Sequence, residues 1–239
     1  MKLFCIPHAG GSTIPYNAWK KHLHDHIEFI PLDLPGHMPR FREPLCDNVE
    51  DIVNDLLQSV KNSLHPDETY ALYGHSMGGM LLYFLYFRLL EEGYEPPAHL
   101  FFSSRWPPYH HNEKAQYDLE NEKESKRRFL GMGGFNEIIL NNPSMLDYHM
   151  NVLLTDFRLI QSVGTSSLRT IYSDITVLWS DKEPDIEDED IYKWKLSAGK
   201  SIAFVKMKGS HFFPTEEPLK TANVINVTLR KYKESGGMP

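Results

Sequence analysis

The chain has 239 residues, 41% of them hydrophobic and 24% charged, which is enough for one compact domain carrying an inserted subdomain. Aromatic residues at 12% argue against disorder throughout, and 25 Lys plus Arg against 32 Asp plus Glu argue against nucleic acid as the main partner. Cys5 and Cys46 belong to no CxxC pair and read as reduced thiols. The N-terminus has no secretory apolar run, and the longest apolar stretch, Met80 to Leu90, contains Arg88 and falls short of the about 20 residues needed to cross a bilayer. A cytoplasmic protein with no membrane partner is expected.

Short apolar runs predict strands at Leu3–Ile6, Glu28–Leu32, Tyr70–Tyr73, Leu100–Ser103, Thr176–Trp179 and Ile202–Lys206. Several are apolar throughout, as strands covered on both faces are, so the expected fold is α/β with a mostly parallel central sheet flanked by helices. Val49–Leu64 carries Ile52, Val53, Leu56, Leu57 and Val60 at helical spacing. Met77–Glu92 reads as a second helix and Leu219–Tyr232 as the last, with Ala222, Ile225, Val227 and Leu229 available for packing. Arg105 to Thr170 breaks this rhythm. It reads as helices around Glu113–Leu130, Phe135–Leu140 and Met145–Ile160, with a glycine turn at Gly131–Gly134. The expected organisation is a core from residues 1–104 and 171–239, with residues 105–170 inserted as a helical lid or cap over the C-terminal edge of the sheet.

The sharpest chemical signal is Gly74-His-Ser-Met-Gly78, where an apolar strand runs straight into a helix-like segment. A nucleophile on a tight strand-to-helix turn needs small neighbours, because the backbone doubles back on itself. Ser76 is therefore the candidate nucleophile. A serine hydroxyl needs a base and the base needs an orienting acid. His211, in Lys208-Gly-Ser-His-Phe-Phe213 after the last predicted strand, holds the position of the base; His75 is read as a packing or hydrogen-bonding residue. The acid should follow the penultimate strand, where Asp181, Glu183 and Asp185 compete. Glu183, three residues beyond Ser180, is selected and Asp181 is its main rival.

Two N–H donors are needed for an oxyanion. The backbone N–H of Met77 is one, and Ala9 in the small-residue loop Pro7-His-Ala-Gly-Gly11 is the second, with His8 as an alternative. His22, His24 and His26 lack the spacing of a zinc helix and read as polar surface. Lys123, Lys126, Arg127 and Arg128 form a surface cluster that is also the best candidate for meeting an acidic partner.

In combination, Phe4–Gly11, Pro31-Leu-Asp-Leu-Pro-Gly-His37, Ala71–Gly79, His99–Ser104, Met132-Gly-Gly134, Thr155-Asp-Phe157 and Gly209–Phe213 resemble the type II thioesterases that accompany non-ribosomal peptide and polyketide synthases, a branch of the α/β-hydrolases. The resemblance spans Leu3 to about Tyr232. It implies Ser76 as nucleophile, His211 as base, Glu183 at the acid position, and a cap forming the entrance for the acyl group and the phosphopantetheine arm. Most members carry aspartate where this chain has Glu183, and His8 departs from the pattern in its loop.

The implied substrate is an acyl group on the phosphopantetheine arm of an acyl or peptidyl carrier protein domain, removed through an acyl-enzyme to regenerate a blocked carrier. No metal or redox cofactor is required, because a thioester is already activated, and a monomer is the working expectation. The rival readings are a small-ester carboxylesterase or lipase-like hydrolase, a thioesterase that releases a finished product, and a non-catalytic protein that binds an acyl carrier.

Overall fold

Six strands in the computed structural model pair in the order β2-β1-β3-β4-β5-β6, every neighbouring pair parallel. They are β1 (Lys2–Ile6), β2 (Glu28–Pro31), β3 (Tyr70–His75), β4 (His99–Ser103), β5 (Asp174–Ser180) and β6 (Ile202–Met207). The structure describes residues 1–65, 68–112, 118–133, 135 and 137–234. Every residue of β1, β3 and β4 is buried, which is why these strands read as unbroken apolar runs.

One face of the sheet is covered by α1 (Val49–Ser63) and α2 (Met77–Glu91). Asn48 starts α1 by accepting from the N–H groups of Glu50 (2.8 Å) and Asp51 (3.2 Å). The next helix, α2, packs against α1 and against β1, β3 and β4, and this central position explains why it is apolar nearly all round. Between β4 and β5 come α3 (Glu122–Met132), α4 (Glu137–Leu140) and α5 (Pro143–Ser162), the helical cap of an α/β-hydrolase fold. The shorter α6 (Asp188–Tyr192), α7 (Phe213–Glu216) and the long α8 (Pro218–Glu234) complete the chain. On the second face of the sheet, Tyr16, Trp19, Phe213, Ala222, Ile225 and Leu229 are fully buried, and Trp19 Nε1 donates to the Pro214 carbonyl at 2.8 Å.

Three expectations need correction. Val227 is 77% exposed, because it lies two positions, about 200° of helix, beyond the buried Ile225. In the cap, α3 begins only at Glu122 and continues through Gly131, where a turn was expected. Residues 113–117 and Gly134 lie outside the described residues. Of the apolar cap residues, Phe129, Met150, Leu154 and Phe157 form a small core with Leu119, whereas Leu130, Ile138 and Met145 face solvent. Cys5 is buried in β1 and Cys46 is half-buried, and both are free thiols. No helix among the described residues is long and apolar enough to cross a membrane.

Register aligns the strand ends that matter. Ile6 is level with Gly74, His75 with Ser103, Ser103 with Leu178, and Ser180 with Met207. The loops after β1, β3, β4, β5 and β6 therefore emerge side by side at one edge. The strand order reverses between β1 and β3, the place where open α/β sheets bind ligands.

Candidate active site

Ser76 sits between β3 and α2 with φ 55° and ψ −115°, a left-handed conformation rare for a residue with a side chain. Its neighbours permit this because they are glycines. A Cβ at Gly74 would lie 2.2 Å from the Gly78 carbonyl oxygen, and one at Gly78 would lie 2.3 Å from that of Ile6. The Ser76 N–H is fixed by the Ser103 carbonyl at 2.7 Å. Met77 is the first residue of α2, so its N–H has no intrahelical acceptor. In the loop after β1, Gly10 N–H donates to Asp156 and Gly11 N–H to the His8 carbonyl (3.0 Å), while the Ala9 N–H has no acceptor among the described residues.

His211 stands on the loop after β6, with Gly209 before it at φ 133°. Its Nδ1 meets Glu183 Oε2 at 2.7 Å; the glutamate side chain is 2% exposed and the histidine 20%. The other carboxylate oxygen accepts from the Ser180 N–H at 3.2 Å and from the Ser104 hydroxyl. Burial would raise the Glu183 pKa, but the hydrogen bond and charge of His211, with Ser104 and the Ser180 N–H, bring it below the usual glutamate value. Asp181 is exposed, accepts from the Gly209 N–H at 3.1 Å and so braces the histidine loop, while Asp185 pairs with Arg128. Glu183 is the acid that reaches the imidazole.

His75 and His8 surround His211 without competing for its proton. The His75 ring lies 4.9 Å from that of His211 and its Nδ1 meets Ser103 Oγ at 2.9 Å. Burial, reinforced by the charge of His211, holds both neighbours neutral, His8 at about 3 and His75 well below the ordinary value. Two cavities open on either side of Ser76 and His211. One, of about 70 Å³, is walled by Ala9, Gly10, Phe129, Phe135, Leu153 and Phe157. The other, of about 560 Å³, is lined by Ser104, Arg105, Trp106, Arg128, Lys182 and Glu183 among others. No group of three His, Cys, Asp or Glu suited to a metal ion occurs among the described residues. In the surface cluster, Arg127 pairs with Glu124, Arg128 with Asp185 and Lys126 with Asp147.

Sequence reasoning assigned no role to Ser104 or Asp156. Ser104, with φ 49°, is the second non-glycine residue in the left-handed region and positions its hydroxyl against Glu183. Its type and spacing carry no signal of this, because the contact depends on β4 lying beside β5.

The thioesterase domain family model matches residues 1–229. The gramicidin S biosynthesis protein GrsT of Aneurinibacillus migulanus is 24% identical over 96% of this chain and 89% of its own length. The medium-chain S-acyl fatty acid synthase thioesterase of Homo sapiens is 25% identical over 91% of this chain and 83% of its own. Among solved structures, ClbQ from the colibactin NRPS/PKS pathway superposes with a TM-score of 0.90 at 25% identity, covering 98% of both chains.

Proposed function

The chain belongs to the thioesterase domain family, and from that premise we propose that it is a type II thioesterase, a serine hydrolase that removes acyl groups from the phosphopantetheine arm of carrier protein domains in a non-ribosomal peptide or polyketide synthase. The observation that carries the reading is the buried Glu183 bound to His211, in a cavity wall shared with Ser76 on its strained turn. Core residues 1–104 and 171–239 supply the catalytic groups, and residues 105–170 form the cap above them.

His211, its Nδ1 held by Glu183, takes the Ser76 proton at Nε2 as Oγ attacks the thioester carbonyl. The negative charge that develops on the carbonyl oxygen is met by the N–H groups of Met77 and Ala9. Glu183 stabilises the imidazolium, and because His75 and His8 stay neutral, neither adds a second positive charge beside it. The proton then passes from His211 to the departing sulfur, the C–S bond breaks and the acyl group remains on Ser76. Water enters, His211 removes its proton, and collapse of the second tetrahedral species frees the acid and restores the serine.

The two cavities divide the substrate. A space of about 70 Å³ walled by aromatic rings suits a short acyl group and lies below the roughly 300 Å³ at which drug-sized pockets begin. The space of about 560 Å³ offers Arg105, Arg128 and Lys182 to the polar amides and phosphate of a pantetheine arm.

The test follows loss of an acetyl group from a phosphopantetheinylated carrier protein by intact-protein mass spectrometry. The expected outcome is deacylation of the carrier faster than of a free acetyl thioester, reduced about 10⁴-fold or more in Ser76→Ala. Cleavage of p-nitrophenyl esters with the carrier left acylated would overturn the reading in favour of a small-ester hydrolase.

A further inference from the structure

The cap touches the oxyanion loop through one buried carboxylate. Asp156 on α5 is 1% exposed, and its Oδ2 accepts the Gly10 N–H at 2.6 Å, spanning 146 positions of sequence. The same oxygen meets Nε2 of His37, 3% exposed, at 2.9 Å. Nδ1 of that imidazole faces the Pro35 carbonyl at 3.1 Å. A carbonyl and an ionised carboxylate only accept, so with Asp156 ionised both ring nitrogens donate and the contact is an imidazolium–carboxylate pair, the form toward which Asp156 shifts His37. Around this contact α5 lies tight on the loops. Leu153 Cδ1 would be 2.7 Å from a Cβ at Gly10, itself at φ 70°, and the Tyr148 hydroxyl donates to the Gly36 carbonyl at 2.7 Å.

This arrangement decides which amide is offered to substrate. Without a carboxylate behind it, the Gly10 N–H is a polar group that must find another acceptor, and turning the 9–10 peptide re-aims its neighbour. With Gly10 held by Asp156 and Gly11 by the His8 carbonyl, the Ala9 N–H is the one left without an acceptor among the described residues, on a residue that lines the cavity holding Ser76. We propose that Asp156 is a positioning residue of the oxyanion hole, a carboxylate carried by the cap that fixes the Gly10 amide and thereby aims the Ala9 N–H at the substrate oxygen. The inference rests on the reading of Ala9 as an oxyanion donor. It makes α5 a structural part of the catalytic loop, so cap and oxyanion hole form one unit.

The most informative variant is Asp156→Asn, which keeps shape but cannot keep both bonds. If the amide oxygen takes the Oδ2 position, an imidazolium is left without a counter-ion; if the NH2 takes it, the Gly10 N–H faces another donor. The experiment measures kcat and KM with an acetyl thioester of N-acetylcysteamine, and the affinity for phenylboronic acid, whose tetrahedral adduct with a serine places an oxygen where the oxyanion forms. The expected result is a kcat roughly 10- to 100-fold lower with KM within about twofold, and boronate affinity falling by a similar factor. In the double variant Asp156→Asn with His37→Leu the amide oxygen is free to accept from Gly10, and most of the lost rate returns.

An Asp156→Asn protein with wild-type kcat and boronate affinity overturns the proposal. So does a slow variant whose boronate affinity is unchanged, or a double variant that recovers nothing. Should Asp156→Asn fail to fold, His37→Leu decides. Its buried carboxylate has lost its cation, so the acid-side fall in kcat that any histidine base imposes moves to higher pH than in the wild type, and a superimposable profile overturns the proposal. Asp33 after β2, His8 after β1 and His149 on α5 also face His37 and are unchanged in that comparison. A wild type that turns over no thioester or ester would defeat the hydrolase reading itself, whereas an active wild type with an indifferent Asp156→Asn defeats only the positioning role.

Discussion

At the sheet edge Glu183 is 2% exposed and meets three donors, one from the loop after β4, one from the last residue of β5 and one from the loop after β6. Over the same cavities the cap shows a looser style of construction. Among the described residues its own core is five buried side chains, Ile138 is 70% exposed and Leu130 43%, and its charges pair along a helix or with nearby surface carboxylates. Parallel strands hold the proposed reacting groups in register, so small errors there cannot be absorbed. The cap packs mainly by apolar contact, which tolerates change in shape and volume better than a buried charge tolerates loss of a partner. Asp156 is the exception, a sheet-edge style of contact made from the cap.

Glu183→Gln breaks the sheet-edge side of this contrast most severely. It preserves shape but removes the charge that stabilises His211 as imidazolium, and kcat should fall about 10³- to 10⁴-fold while the melting temperature changes little. Asp181→Asn, two residues away and hydrogen-bonded through its side chain to the Gly209 N–H rather than to the imidazole, should cost less than about threefold. Steady-state kinetics of the two proteins side by side checks both, and equal losses would mean that the histidine loop, not the carboxylate charge, sets the rate.

Phe129→Ala tests the cap. Phe129 is 1% exposed and stacks on Phe157 with centroids 4.7 Å apart, and both rings wall the smaller cavity. Removing the ring should cost about 3 kcal/mol of local stability, seen as faster amide exchange in α3 and α5 but not in β3 or β4. Opening the wall should also shift the preference between octanoyl and acetyl thioesters roughly tenfold toward the longer chain. An unchanged preference would place the acyl group elsewhere.

The smallest effect concerns pH, and the two regions should fail on opposite sides. Burial pulls the His37 pKa down, but Asp156 lifts it above the ordinary 6.5. Its pairing therefore stabilises the fold fully below the unfolded histidine value and is lost as pH rises through the raised one. Glu183 is the reverse: its contribution is complete above the ordinary glutamate value of 4.5 and is lost as pH falls through the lowered one. Between pH 6 and 9 the wild type should lose roughly 3 °C of melting temperature that His37→Leu does not lose, measurable by scanning calorimetry.

The turn that carries Ser76 was legible in the sequence because its constraint is steric and local: no side chain fits at Gly74 or Gly78, so the glycines must be written there. Glu183 was legible by counting from Ser180, since a short turn after a strand leaves few positions from which a carboxylate can reach the next loop. Ser104 and Asp156 were opaque for the opposite reason. Each acts across a neighbour set by topology, 79 positions away for Ser104 and Glu183 and 146 for Gly10 and Asp156, and nothing in a serine or an aspartate announces such a partner. The start of α3 was misplaced because charged residues at helical spacing look alike inside and outside a helix. Its passage through Gly131 was missed because glycine weakens a helix without forbidding it.

The parallel sheet also sets a timetable for synthesis. Ser76 leaves the ribosome with β3, but the imidazole proposed to activate it arrives only with the loop after β6, next to the outermost strand on that side. A nascent chain halted before Ile202 could form the turn, yet it would hold an inert alcohol. On the proposed mechanism hydrolytic power is thus acquired only once the segment after β6 has been made, later than the cap whose carboxylate reaches the loop after β1.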